Sequence, residues 1–260
     1  MRNVLDINGK VIIITGGYGH LGEGMTRGLA AYGANVVVAG RSIEKFREKF
    51  SQAAENISFE YCDIASSGSL KELYAKVHAR FSRIDVVVNN AHFVKGNVID
   101  GITDEDWAAT MEGVLGAAQK SIREVVPYLQ QQRSGKIINI SSMYGIVSPN
   151  FSVYEGEGSS RFTNPPHYGA AKAGIIQLTK YYAVSLAPYN IQVNCISPGP
   201  FPNPQVQENK EFKERLERLN PMGRIGQPED LVGPLVLLSS KGSDYMTGQN
   251  LIVDGGWTIW

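Results

Sequence analysis

Short apolar runs recur along the chain, each closed by small or polar residues and followed by a helical pattern. Val11–Ile14 is the first, bounded by Thr15-Gly16. A continuous apolar run of that length predicts a strand buried on both faces, as in a parallel sheet. Further strands are predicted over Asn35–Ala39, Ile57–Cys62, Ile84–Val88, Lys136–Ile140, Ile191–Ile196 and Leu251–Val253. Helical periodicity fills the intervals. It follows Met25 and Leu29, spans Ser69–Phe81, and runs as one long stretch from Trp107 to about Gln131. Ala171, Ile175, Leu178, Tyr182 and Leu186 continue a helix from Tyr168, and Pro188 ends it. Another helix is predicted from Pro228 to about Ser239, and a short one near Phe212–Leu219.

Strand and helix alternate throughout, which predicts an α/β fold: a doubly wound parallel sheet of Rossmann type with helices on both faces. No repeat or linker divides the 260 residues, so a single domain is expected over 1–260. In such sheets ligands lie beyond the C-terminal ends of the strands. Thr15, Arg41, Asp63, Asn89, Ser142 and Gly199 all fall at such ends. Residues 200–222 carry Pro, Asn and charge and read as a flap over that edge.

Composition narrows the partners. Lys+Arg and Asp+Glu each number 25, so no net charge favours nucleic acid or an anionic membrane. No apolar stretch approaches the length of a membrane span. Met1–Lys10 lacks an apolar h-region, so no signal peptide is expected. Cys62 and Cys195 sit in strand-like runs and read as buried thiols. The expected compartment is cytoplasmic. His20, His78, His92 and His167 show no metal-ligand spacing, so no metal is expected.

Two stretches carry candidate chemistry. Thr15-Gly16-Gly17-Tyr18-Gly19-His20-Leu21-Gly22 links the first strand to the first helix. Glycines there let backbone approach phosphates, and the helix N-terminus offers unpaired N–H groups. At the end of the second strand, where a carboxylate would bind the ribose hydroxyls of NAD, Gly40-Arg41-Ser42 has none. Arg41 suits a 2′-phosphate instead, which points to NADP. Further along, Tyr168 and Lys172 are one helical turn apart, with Ser141-Ser142 upstream. An ammonium group beside a phenol lowers its pKa, and a tuned phenol can exchange a proton with a hydroxyl. A serine hydroxyl on the same oxygen would stabilise developing charge.

These pieces, in this order, resemble the short-chain dehydrogenase/reductase family over essentially the whole chain. The match comprises Thr15-Gly16 to Gly22, Asp63, Asn89-Asn90-Ala91, Ser142, Tyr168-x-x-x-Lys172, Asn194 with Pro198-Gly199, and Asp254-Gly255-Gly256. The resemblance implies that Gly16 and Gly22 line the pyrophosphate turn, with Tyr18, His20 and Leu21 also at the cofactor. It implies that Asp63 and Ile64 hold the adenine, that Asn89 and Ala91 contact the cofactor from the fourth strand, and that Pro198-Gly199 packs near the nicotinamide. Ser142 would orient the carbonyl, Tyr168 would serve as acid/base, and Lys172 would bind the nicotinamide ribose. A homodimer or homotetramer is implied, with the Tyr168 helix at one interface and Asp254–Trp260 at another. Within the family the chain is similar to sugar-acid dehydrogenases of the gluconate 5-dehydrogenase type. It is also similar to oxidoreductases of bacterial nonulosonic-acid (legionaminic-type) pathways.

Departures from the family pattern are informative. His20 replaces the middle glycine of the turn, and His92 replaces the glycine after Asn-Asn-Ala. Val114 stands where the family has an Asn that supports a water relay to the lysine. The Thr usual after Pro-Gly is missing, and Pro200, Pro202 and Pro204 stiffen the flap. The Ser142–Tyr168 spacing is also longer than usual, through an insertion at about 148–166 that leaves and returns at catalytic residues. Such long loops are commonly functional. Its Tyr154, Glu155, Glu157, Arg161 and Phe162 suit a polar, carbohydrate-like substrate, with Arg161 and His92 as candidate substrate contacts. The expected activity is therefore NAD(P)-dependent interconversion of a secondary alcohol and a ketone. Alternatives are a 3-oxoacyl-type reductase and a non-catalytic nucleotide-binding scaffold. An epimerase or dehydratase would be expected to carry a larger C-terminal domain than this sequence has room for.

Overall fold

The computed structural model describes residues 3–52, 54–96, 101–155 and 163–260. Seven strands form one sheet: β1 (Val11–Thr15), β2 (Asn35–Gly40), β3 (Ile57–Tyr61), β4 (Val86–Asn89), β5 (Gly135–Ile140), β6 (Ile191–Pro198) and β7 (Asn250–Val253). Their order is β3-β2-β1-β4-β5-β6-β7, and every pairing is parallel. The main helices are α1 (His20–Ala31), α2 (Ile43–Phe50), α3 (Ser67–Phe81), α4 (Asp104–Met111), α5 (Ala117–Gln132) and α6 (Pro166–Leu186). They are followed by α7 (Pro204–Gln207), α8 (Lys210–Arg218) and α9 (Val232–Ser239).

The period-2 geometry of a strand sends alternate residues to opposite faces. Val11 and Ile13 accordingly enter one core, with Leu70, Leu73 and Val77 of α3, Ile122 and Leu129 of α5, and Leu186 of α6. Ile12 and Ile14 enter the other, with Met25 and Leu29 of α1 and Leu235 of α9. The continuous apolar runs follow from that double coverage. A third cluster roofs the C-terminal edge of the sheet: Tyr144, Tyr154, Phe212, Leu216, Ile225 and Trp257.

The long helix predicted from Trp107 is present but carries a bulge. The run from Trp107 forms α4 and α5, with a π-helical segment at Glu112–Gly116 between them. The cause is the loop after β4. Phe93 N–H donates to Gly113 O at 3.3 Å, taking a carbonyl from the helical ladder. A Cβ on Gly113 would lie 2.4 Å from Phe93 O, so only glycine admits that approach. A diverted carbonyl and a tight backbone contact are the ordinary causes of such a bulge.

A buried polar chain crosses the sheet through the paired Asn89 and Asn139. Tyr74 OH meets Ser121 Oγ at 2.6 Å, and Ser121 donates to Asn89 Oδ1. Asn89 Nδ2 donates to Asn139 Oδ1 at 2.8 Å, Asn139 Nδ2 to Thr179 Oγ1 at 2.9 Å, and Thr179 Oγ1 to Ile175 O at 2.8 Å. Each buried donor and acceptor is thereby satisfied, which locks β4 and β5 to α3, α5 and α6.

Candidate active site

The glycine-rich turn leaves β1 at Thr15 and enters α1 at His20. Gly16 has φ of +66°, and its carbonyl accepts the Gly19 N–H at 2.9 Å. A Cβ on Gly22 would lie 2.2 Å from Gly16 O, so the turn folds flat onto the helix. The sequence reading places Asn89 at the cofactor; its side chain is instead spent on the buried polar chain. Asn90 does that local work. Its Nδ2 donates to Thr15 O at 2.9 Å and Gly16 O at 3.2 Å, while Thr15 Oγ1 accepts from the N–H groups of Asn90 and Ala91. The end of β4 is thus clamped to the turn.

At the end of β2 a pocket of about 120 Å³ is lined by Tyr18, Gly40, Arg41, Asp63, Ile64 and Ala91. The Tyr18 hydroxyl accepts from the N–H groups of Arg41 and Ser42 at 3.1 and 3.3 Å. No carboxylate pairs with the Arg41 guanidinium among the described residues. The pocket leads toward a larger cleft of about 510 Å³, which His20, Leu21, Ser142, Tyr168, Lys172, Pro198 and Gly199 border. At its rim the buried His20 Nε2 finds no hydrogen-bond partner among the described residues. Burial lowers the His20 pKa, which keeps that ring neutral. The turn, the helix N-terminus without a side-chain cap and the unpaired His20 Nε2 fit a dinucleotide.

The catalytic candidates meet at the other end of the cleft. Pro165 and Pro166 start α6, so Tyr168 and Lys172 lie on successive turns of one helix. Ser141 Oγ donates to Lys172 O at 2.7 Å, and this pins the end of β5, with Ser142, to α6. Gly145 allows the close approach, since a Cβ there would sit 2.7 Å from Lys172 C. Lys172 is 2% exposed. Its Nζ donates to Ile140 O at 2.9 Å and lies 5.6 Å from the Tyr168 ring centre. Burial drops its pKa to about 8. The expectation that Lys172 lowers the Tyr168 pKa is not met in this geometry. Burial raises the phenol, and the Ser142 hydroxyl is what pulls it back.

His92 reaches the same place: its ring centre is 5.9 Å from that of Tyr168. It borders the open cleft, and the Lys172 charge, with crowding by surrounding protein, depresses its pKa to about 3, so the imidazole is neutral. Val114 is buried with Ala118, Ala171 and Ile175, and offers no polar side chain toward Lys172. Arg161 lies outside the described residues. Among the described residues no His, Cys, Asp or Glu cluster could hold a metal. Tyr144, Tyr154 and Asn164 also line the cleft. The sequence reading gave Tyr154 only to the insertion and left Tyr144 and Asn164 without a role.

Comparison with known proteins decides the family. The model described as enoyl-(acyl carrier protein) reductase matches residues 19–258. The chain belongs to the short-chain dehydrogenase/reductase family. It is 34% identical to a 3-oxoacyl-[acyl-carrier-protein] reductase FabG of Thermotoga maritima, covering 97% of this chain and 99% of that one. It is 32% identical to a 2-dehydro-3-deoxy-D-gluconate 5-dehydrogenase of Dickeya dadantii, covering 98% of each. A solved short-chain dehydrogenase of Leptospira borgpetersenii with bound NAD+ superposes with a TM-score of 0.86 at 29% identity, over 100% of this chain and 97% of that one. As a short-chain dehydrogenase/reductase, the chain is an NAD(P)-dependent enzyme that interconverts alcohols and ketones. No helix among the described residues is long and apolar enough to cross a membrane.

Proposed function

We propose that this enzyme prefers NADP and acts on a polar, sugar-like secondary alcohol or its ketone. The observation that carries the reading is the make-up of the two ends of the cleft. Among the described residues that line the small pocket Arg41 is the one cation, and a guanidinium suits a 2′-phosphate. At the other end Ser142, His92, Asn90 and Asn164 offer polar groups around Tyr168.

A bound nicotinamide supplies or accepts the hydride. The chain does the rest. The Ser142 hydroxyl donates to the substrate oxygen as charge builds on it. Tyr168, held neutral by burial, gives its proton to that oxygen during reduction and takes one during oxidation. Lys172 keeps positive charge one turn away and binds the ribose. His92, neutral beside it, presents a ring nitrogen to a substrate hydroxyl. A 3-oxoacyl substrate is the second reading, favoured by the name of the relative from Thermotoga maritima.

We also read the free face of α4 and α6 as a homo-oligomer contact. Met111, Leu115, Leu178 and Tyr181 border an apolar groove of about 670 Å³ there. Ile259 and Trp260 are likewise exposed at the C-terminal segment. The two free, buried cysteines suit a cytoplasmic enzyme.

Fluorescence titration with NADPH and NADH tests the cofactor reading. The wild type should bind NADPH more tightly, and Arg41→Ala should lose roughly tenfold for NADPH with little change for NADH, about the worth of one charge-assisted contact. Tighter NADH binding that is indifferent to Arg41 would overturn it.

A further inference from the structure

The insertion between β5 and α6 delivers one residue from each limb to the cleft. Tyr154 closes the short helical turn at Phe151–Tyr154 on the way out, and Asn164 stands just before α6 on the way back. The Tyr154 hydroxyl lies 2.5 Å from that of Tyr144, and both rings are buried. Tyr154 packs on Phe212 of α8 with ring centres 5.6 Å apart. Arg215 of the same helix donates through Nε to Val153 O at 2.9 Å. The flap therefore fixes the limb that carries Tyr154.

Counting hydrogens shows which groups are left over. Two hydroxyls in contact share one hydrogen bond, with one hydrogen to spare. Tyr144 and Asn164 both draw the Tyr154 pKa down against burial, whereas Tyr154 pushes that of Tyr144 up. Either hydroxyl can be the donor in that contact, and Asn164 is a hydrogen-bond neighbour of Tyr154. The spare hydroxyl hydrogen of the tyrosine pair and the Asn164 amide thus offer a donor and an acceptor at the wall of the cleft.

We propose that Tyr154 and Asn164, with Tyr144 behind them, form a subsite that recognises a hydroxyl group of the substrate away from its reacting carbonyl. This rests on the oxidoreductase reading of the same cleft. A hydroxyl both donates and accepts, so one such group satisfies both residues. A methylene would leave these polar groups unpaired. Sites built to bond a hydroxyl discriminate strongly against analogues that lack it. The substrate class is therefore a polyhydroxylated ketone or alcohol, in preference to an acyl chain.

The test uses the NADPH-loaded enzyme and two kinds of probe. L-erythrulose, D-fructose and L-sorbose carry hydroxyls beside a ketone; the acetoacetyl thioester of N-acetylcysteamine carries none. Binding of NADPH and NADH is measured first by fluorescence, and thermal midpoints check that Tyr154→Phe and Tyr144→Phe are folded. Tyr154→Phe keeps the ring on Phe212 and removes only the hydroxyl. It should raise KM for the best ketose about tenfold with kcat within about twofold, so that the ketose-to-thioester ratio of kcat/KM falls about tenfold. Tyr144→Phe, which frees Tyr154 to turn, should lower the same ratio by about threefold. An unchanged ratio in both variants overturns the subsite, as does a wild type that binds NADPH and reduces the thioester but no ketose. Failure to bind either NADPH or NADH would instead refute the oxidoreductase reading, and the subsite with it, before any substrate is added.

Discussion

Replacing Lys172 with methionine should make the protein more stable and inactive. The ammonium is buried, and burial lowers its pKa from 10.5 to about 8. That difference of about 2.5 units corresponds to about 3 kcal/mol of destabilisation while the group is charged in both states. Methionine keeps the stem volume and removes the charge. The bond from Nζ to Ile140 O is lost, at about 1 kcal/mol. The net expectation is a gain of about 2 kcal/mol at pH 7, or a urea midpoint higher by about 1 M. The pH dependence has a definite sign. Between about pH 8 and 10.5 the unfolded chain holds the lysine proton more tightly than the folded one. Wild-type stability therefore rises with pH across that window relative to the variant, and the gap closes by about pH 10.5. Urea titrations of both proteins at pH 7, 9 and 10, at one protein concentration, measure this directly. A variant no more stable at pH 7, or a gap that ignores pH, would refute the reasoning. A buried charge that weakens the fold and serves the chemistry is a common bargain at active sites.

Two further predictions concern the turn and the acid/base. Gly22→Ala places a Cβ 2.2 Å from Gly16 O and 2.8 Å from Gly17 Cα, both backbone, so the turn must open. Denaturant titration should show a loss of about 1–3 kcal/mol, and NADPH affinity should fall with it. Gly233→Ala, where a Cβ meets nothing within 4 Å, should instead stabilise α9 by about 0.5 kcal/mol; equal effects at the two sites would contradict this account. Tyr168→Phe should lower kcat by about 10² to 10⁴ with NADPH binding retained. Because burial raises the Tyr168 pKa, wild-type oxidation should accelerate as pH rises toward ionisation of the phenol, while reduction should hold through neutral pH. A bell centred below neutrality in the oxidation direction would count against Tyr168 as the base.

The altered relay position lies in the bulge of that helix. Val114 lies within the π-helical segment, buried against Ala171 and Ile175 of α6. Its neighbour Gly113 receives the backbone of Phe93, next to His92. The same loop is tied at Lys95, whose carbonyl lies 2.9 Å from His167 Nε2. The loop after β4 is thus held at two points, both just after His92. The helix thus offers an apolar side chain at position 114, while the His92 ring on the loop feels the Lys172 charge.

Local chemistry made much of this protein legible from its sequence. The strand order along the chain, the glycine turn and the one-turn spacing of Tyr168 and Lys172 depend on neighbours within a few residues. Hydrophobic period and turn chemistry report such neighbours directly. The insertion is read differently, from the resemblance: the Ser142–Tyr168 length exceeds the spacing usual in the family. What the tertiary structure decided involves partners far apart in the chain. Asn89 turns into the sheet because Ser121 and Asn139 wait there with matching donors and acceptors. The helix after Trp107 bulges where the backbone of Phe93 donates to the Gly113 carbonyl. Tyr144, Tyr154 and Asn164 become a wall of the cleft only when α8 packs on the insertion. Whether a buried phenol or ammonium ionises depends on how deeply it is buried and on what its hydroxyl and charge neighbours are. Those are distances through space, and no local pattern encodes them.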